Sequence, residues 1–228
     1  MQHMADGRKI KGGYKEMKYI IMCGGTYKKW WKPRQLVEIN GEALVARTIR
    51  LLRINGVEDI AISTNHEGFE KFGVPILKHE NLYKTADYDG FIGDWVDGFY
   101  PVEEPACFLM GDVFFSPEAI KTIVETETDY IEFFASAPPF DSRYHKPWAE
   151  PFAFKVEDVV DFRACIHQTK ICERMGFFAR RAIAWELWQI IKRTPLNMIK
   201  YSNYTVINDY TCDVDEPDDI KFFEEVEE

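Results

Sequence analysis

Residues 18–35 run Lys18-Tyr19-Ile20-Ile21-Met22, then Cys23-Gly24-Gly25-Thr26, then Tyr27-Lys28-Lys29-Trp30-Trp31-Lys32-Pro33-Arg34-Gln35. The first five read as a buried strand. The small-residue turn after it lets the backbone approach a ligand closely, and its glycine amides can face phosphate oxygens. Lys28, Lys29, Lys32 and Arg34 then put four cations within seven residues, which suits a polyanion. The whole chain carries a formal net charge of -10, so a basic cluster here is local and specific. Together the turn and the loop predict a nucleoside triphosphate site.

Working outward, apolar strands alternate with helical patterns. Residues 42–55 read as a helix with Leu44, Val45, Thr48, Leu51 and Leu52 on one face and Gly56 as its stop. Strands are predicted at 59–64, 74–77, 106–110 and 130–135, and helices at 90–99 and 117–126. Strands separated by helices of this length imply βαβ units, an α/β fold and a mainly parallel sheet. After Ala137 the chain becomes a polar-aromatic loop to Trp148, followed by a strand at 152–156 and helices at 159–169 and 182–192. Strands at 204–207 and 210–214 are expected to close the sheet, with a last helix at 217–226. The simplest organisation is a tag or disordered leader over 1–16 and one domain over 17–228, with a lid-like, acceptor-binding insertion at about 137–203.

The totals exclude several classes. At 228 residues, 46% of them hydrophobic, the chain can build a substantial core. No apolar run is long enough for a bilayer and no signal-peptide pattern occurs. The five cysteines have no zinc spacing, and their odd number points to reduced thiols and a cytoplasmic protein. The acidic balance argues against nucleic acid. A dinucleotide oxidoreductase is disfavoured, because the first turn lacks Gly-x-Gly-x-x-Gly and no acidic ribose partner follows about twenty residues on.

In an open α/β sheet, ligands bind beyond the carboxyl ends of the strands. Asp112 follows the strand at 106–110, and Asp213 and Asp215 follow the late strand. Residues i and i+2 on a strand share a face, so these three carboxylates are expected to converge on a magnesium ion, which takes one or two carboxylates plus phosphate oxygens and water. A triphosphate loop with converging carboxylates indicates phosphoryl or nucleotidyl transfer.

At this point the motifs resemble a family. Gly24-Gly25, Lys32-Pro33-Arg34-Gln35-Leu36 and Ile39-Asn40-Gly41-Glu42-Ala43-Leu44-Val45-Ala46-Arg47-Thr48 look like the opening of the sugar-phosphate nucleotidyltransferases, nearest to the cytidylyltransferases. Met110-Gly111-Asp112-Val113 resembles the family's Gly-Asp metal site, and Asp213-Val214-Asp215-Glu216-Pro217-Asp218-Asp219-Ile220 its closing segment. The resemblance covers 18–135 and 204–226 and hardly touches 137–203. It implies a Rossmann-like three-layer α/β/α sandwich with a mixed, mainly parallel sheet. It also implies a cytoplasmic, magnesium-dependent transfer of a nucleotidyl group from an NTP, CTP favoured over UTP or GTP, to a phosphorylated sugar, alcohol or amino acid, with release of pyrophosphate. Such products feed polysaccharide or isoprenoid pathways. A monomer or homodimer is expected, without nucleic-acid or membrane partners.

Residue by residue, the resemblance implies Cys23, Gly24, Gly25, Thr26, Lys29, Asp87 and Gly90 at the nucleotide. It implies Lys28, Lys32 and Arg34 as catalytic cations, and Asp112, Asp213 and Asp215 at the metal. Arg143, His145, Lys146, Trp148, Glu150 and Lys155 are expected around the acceptor. The chain departs from the family pattern in two ways. Thr26-Tyr27-Lys28-Lys29-Trp30 replaces the Gly-x-Gly-x-Arg run, and Arg34 stands where the family has its Pro-Lys lysine. Either Arg34 or Lys32 takes that role. These departures also motivate a second reading, a catalytically silent homologue that binds nucleotide.

Overall fold

A computed structural model describes residues 17–25, 30, 32–79, 94–136, 146 and 148–226. The first strand, β1 (Lys18–Met22), leads through a 3-10 turn at Arg34–Leu36 to a short hairpin, β2 (Glu38–Ile39) and β3 (Glu42–Ala43). Asn40 and Gly41 turn that hairpin with φ of 51° and 80°, the left-handed pair that a two-residue loop requires. Helix α1 (Leu44–Ile54), β4 (Ile60–Thr64) and β5 (Ile76–Lys78) follow. Next come β6 (Ala106–Met110), β7 (Val113–Phe114), α2 (Pro117–Glu125), β8 (Ile131–Ala135) and β9 (Pro151–Val156). The chain ends with α3 (Val159–Arg174), α4 (Ala184–Ile191), β10 (Thr205–Val206), β11 (Cys212–Asp213) and α5 (Asp219–Glu224).

Seven strands form one sheet in the order β10-β8-β9-β6-β1-β4-β5. All its neighbours are parallel except β9, which runs antiparallel to both β6 and β8. The expected α/β architecture with a mixed, mainly parallel sheet is therefore present. Parallel strands buried on both faces should be apolar throughout, and β4 and β6 are buried along their whole lengths.

The layers follow from strand alternation. Phe108, Phe154 and Phe133 stand in register across β6, β9 and β8. Phe162 of α3 and Trp188 of α4 pack on that aromatic row. The next residue on β9, Lys155, points to the opposite face, where its amine meets the carboxyl end of α2. Helices α3 and α4 pack together on one side, and α1 packs on α2 on the other. Ser116 starts α2 by accepting from the Ala119 amide, with Pro117 at the first helical position. Asp158 starts α3 in the same way.

Several expectations change. The hairpin takes Glu42 and Ala43 out of the predicted first helix, because the Asn40-Gly41 turn brings them back to pair with Ile39 and Glu38. Of the helix expected at 90–99, residues 90–93 lie outside the described residues, and Trp95–Gly98 forms a single 3-10 turn. The segment 137–203 contributes an interior strand, β9, and two covering helices to the fold. β11 does not join the main sheet; it pairs with β7 in a separate ribbon. That ribbon belongs to a satellite core in which Trp30, Val37, Ile39, Leu44, Phe114, Val214 and Phe223 pack together. Among the described residues no helix is long and apolar enough to cross a membrane. All five cysteines are free and buried.

Candidate active site

The parallel strands deliver their carboxyl ends to one edge of the sheet. β1 ends at Met22, in register with Met110 of β6 and Ser63 of β4. The chain continues into the glycine turn, which is held from the β4 side. Cys23 N–H donates to the Ser63 carbonyl at 2.7 Å, and Thr64 Oγ1 donates to the Cys23 carbonyl at 2.8 Å. His66 Nε2 lies 2.5 Å from the Gly25 carbonyl, and Gly25 takes φ of 104°, a conformation that favours glycine. His66 had no evident pattern in the sequence; its place is to fix this turn.

On the other side of β1, Gly111 N–H donates to the Met22 carbonyl at 3.1 Å. A Cβ at Gly111 would lie 2.4 Å from that carbonyl oxygen and 2.8 Å from Cys23 Sγ. Only glycine permits the two strand ends to approach so closely, and the approach brings Asp112 beside the Gly24-Gly25 turn. Asp112 is also tied to the end of the chain, since its carbonyl accepts from Val214 N–H at 2.8 Å.

Arg34 then links these parts. Its Nη2 lies 2.5 Å from Asp112 Oδ2 and its Nη1 2.5 Å from Asp215 Oδ1. Its side chain is 18% exposed and that of Asp215 41%, so this is a partly desolvated fork. Trp30, buried in the satellite core, donates from Nε1 to the Asp215 carbonyl at 2.9 Å. Lys146 completes the cluster, at 2.7 Å from Asp213 Oδ1, 3.0 Å from Asp215 Oδ2 and 3.2 Å from Asp219 Oδ2. Asp219 also accepts from the backbone amides of Asp215 and Glu216, which shapes the turn that carries Asp215.

Lys146, Trp148 and Glu150 reach this edge because β9 is antiparallel. Its first residues lie where β8 and β6 end, and Pro151 faces Ala135. Glu150 is anchored there by a reciprocal pair of bonds with Ser136. Its side chain is buried, with Oε1 lacking a hydrogen-bond partner. Trp148 is half exposed and has the Lys146 ammonium 5.9 Å from its ring centre.

The electrostatics follow from crowding. Burial and then the charge of Asp213 raise the Glu150 pKa, and burial with Asp215 raises that of Asp213. Burial opposes the charge of Lys146, but Asp213 and Asp215 outweigh it and hold the ammonium protonated. For Asp215, burial is likewise outweighed by Lys146 and Arg34, which lower its pKa. The cluster thus has more negative than positive groups in a partly desolvated place.

Of the residues singled out in the sequence, Cys23, Gly24, Gly25, Arg34, Asp112, Lys146, Trp148, Glu150, Asp213 and Asp215 come to this one edge. Lys32 is half-buried two positions from Arg34. Thr26, Lys28, Lys29, Asp87, Gly90, Arg143 and His145 lie outside the described residues. Lys155 is corrected. It sits five positions along β9 from Glu150, about 16 Å away at 3.3 Å per residue, at the opposite edge of the sheet. Its amine donates to the carbonyls of Ile123, Val124 and Thr126 at 3.0, 2.9 and 2.6 Å, so it caps α2 and does not face the acceptor side. Asp219 and Gly111 were missed as site-building residues. Gly111 stood in a quoted motif, and Asp219 in the closing acidic run; their roles depend on contacts with distant segments.

No protein-family model matches this sequence. Among solved structures, a protein described as a glucose-1-phosphate thymidylyltransferase from Bacillus anthracis, crystallised with sucrose, superposes with a TM-score of 0.55 at 14% identity. That match covers 91% of this chain and 94% of the other. The CTP:phosphocholine cytidylyltransferase of Streptococcus pneumoniae superposes with a TM-score of 0.53 at 15% identity, over 92% of this chain and 99% of that one. The chain has the fold of the sugar-phosphate nucleotidyltransferases.

Proposed function

We propose that this protein is a cytoplasmic nucleotidyltransferase that moves a nucleotidyl group from an NTP, CTP favoured, to a phosphorylated small molecule. One observation carries the reading: Asp112 after β6 and the Asp213–Asp215 segment meet Arg34 and Lys146 at the sheet edge where β1 ends in its glycine turn. The fold likeness to a thymidylyltransferase and a cytidylyltransferase supports it, and the choice of CTP rests on the motif resemblance together with the second of these.

In this reading an acceptor phosphate oxygen attacks the α-phosphorus of the NTP in line, and pyrophosphate leaves. Both reactants are anions, so the protein's work is alignment and charge neutralisation. The Gly24 and Gly25 amides serve the triphosphate, and the motif resemblance assigns Thr26, Lys29, Asp87 and Gly90 to the nucleotide as well. Arg34, Lys32 and Lys28 stabilise the charge of the departing pyrophosphate. Lys146, Trp148 and Glu150 border the acceptor, and the sequence assigns Arg143 and His145 to the same role.

Magnesium fits this donor set. Among the described residues no three His, Cys, Asp or Glu side chains form a ready-made metal cage, but magnesium is usually held by one or two carboxylates, with phosphates and water completing its shell. Asp112 with Asp213 or Asp215 would hold it, and the surplus of carboxylates over cations calls for added positive charge. When bound, magnesium supplies charge neutralisation for the phosphates of donor and acceptor.

The test is pyrophosphate release with magnesium, each of the four NTPs, and a panel of phosphorylated sugars, polyols, choline and amino acids. Release is expected only with CTP and one acceptor, and only while Asp112 is intact. Full activity in Asp112→Ala removes the metal assignment. A rise in melting temperature with one nucleotide, but no release with any acceptor, favours the silent nucleotide-binding homologue that the Arg34 departure suggests. Neither release nor stabilisation overturns the reading.

A further inference from the structure

The acidic end of the site already contains a cation, and it is part of the chain. The Lys146 ammonium contacts Asp213, Asp215 and Asp219 within 3.2 Å, and its side chain is only 15% exposed. An ammonium has three donors and no acceptor, so three carboxylate oxygens saturate it. Nearby, Arg34 is divided between Asp112 and Asp215. The buried Glu150 carboxyl adjoins Asp213 and keeps one oxygen, Oε1, without a hydrogen-bond partner. Four aspartates, Asp112, Asp213, Asp215 and Asp219, thus share two cations, Arg34 and Lys146, and the raised pKa of Glu150 keeps its carboxyl from adding another negative charge beside them.

We propose that Lys146 is a tethered counter-ion: it holds the Asp213–Asp215–Asp219 cluster together when no divalent cation is bound, and leaves when one binds there. The inference rests on the reading of Asp213 and Asp215 as metal-side carboxylates. The two occupants exclude one another, because a divalent ion needs the same carboxylate oxygens at about 2.0–2.5 Å and brings twice the charge. Lysine suits the exchange, since its ammonium is a compact charge on a flexible stem. Once displaced, it remains tethered beside the site and is available to an anionic ligand. Metal binding is thereby coupled to the delivery of a free ammonium, which a divalent ion in a permanently open carboxylate pair does not provide.

The experiment uses the full chain without nucleotide, with Mn2+ alone as probe. Free Mn2+ is read by its electron paramagnetic resonance signal, for the parent, Lys146→Met and Lys146→Arg. Lys146→Met is expected to bind Mn2+ about tenfold or more tightly than the parent, because the competing cation is gone. Lys146→Arg keeps the charge and is expected to stay within about twofold of the parent. The methionine variant should melt lower than the parent in chelator and gain more from Mn2+. If it is unfolded without metal, folding on addition of Mn2+ also supports the proposal, since the ion then replaces the lysine. Binding no tighter than the parent, or a variant that Mn2+ does not restore, overturns it. Pyrophosphate release by the parent is scored separately. Release without a gain in Mn2+ affinity sinks the counter-ion alone; a gain without release leaves the counter-ion standing and removes nucleotidyl transfer.

Discussion

Arg34 is the residue at which sequence and geometry bear most directly on each other. It stands where the resembled family has lysine, and it spans two carboxylates, Asp112 and Asp215, that come from opposite ends of the chain. A planar guanidinium can divide its two amino groups between two acceptors, which a single ammonium cannot do at the same reach. Arg34→Lys is therefore expected to lower kcat for pyrophosphate release by about 100-fold, in the range of losing one preorganised charge-stabilising donor. Steady-state kinetics at saturating NTP would check this. An unchanged kcat would hand the role to Lys32. Arg34 and Asp112 were legible in the sequence because each sits at a motif. The partners of Lys146 were not, since its bond to Asp215 crosses 69 positions and no local pattern encodes it.

At the scale of elements, β9 decides what reaches the site. Its alternation Phe152-Ala153-Phe154-Lys155-Val156 reads as a strand in either direction. The tertiary structure runs it antiparallel between β6 and β8. That direction puts Lys146, Trp148 and Glu150 at the active edge and sends Lys155 to the far one. There its amine satisfies three carbonyls at the end of α2, where cations are also favoured by the helix dipole. Lys155→Met is expected to destabilise the fold by about 1–3 kcal/mol, the cost of leaving buried polar groups unsatisfied. Its kcat should equal that of the parent. Denaturant unfolding and kinetics on the same sample would check both, and a lost acceptor affinity with normal stability would restore the original expectation.

For the whole molecule, the satellite core is the tie. Trp30 from the first loop packs with Phe114 of β7 and Phe223 of α5, and its Nε1 bond to the Asp215 carbonyl closes a separation of 185 positions. Trp30→Ala is expected to cost about 3–5 kcal/mol, as for a large buried aromatic. It should also diminish the nucleotide-dependent rise in melting temperature, because Asp215, the partner of Arg34, loses its bond to Trp30. A variant destabilised to that extent but with a normal nucleotide response would separate the core from the site. The periodicity of apolar residues determined the α/β class and the order of the five described helices and of every described strand but β2, β3 and β7, and the glycines and aspartates themselves marked the turns at strand ends, because each of these is written in neighbouring residues. Strand direction at β9, the exile of β11 to a ribbon with β7, and the grouping of Arg34 and Lys146 among four aspartates were decided only by tertiary structure. Those features depend on which distant carbonyls, carboxylates and apolar faces satisfy one another once the chain has closed, and that is a property of the packed molecule.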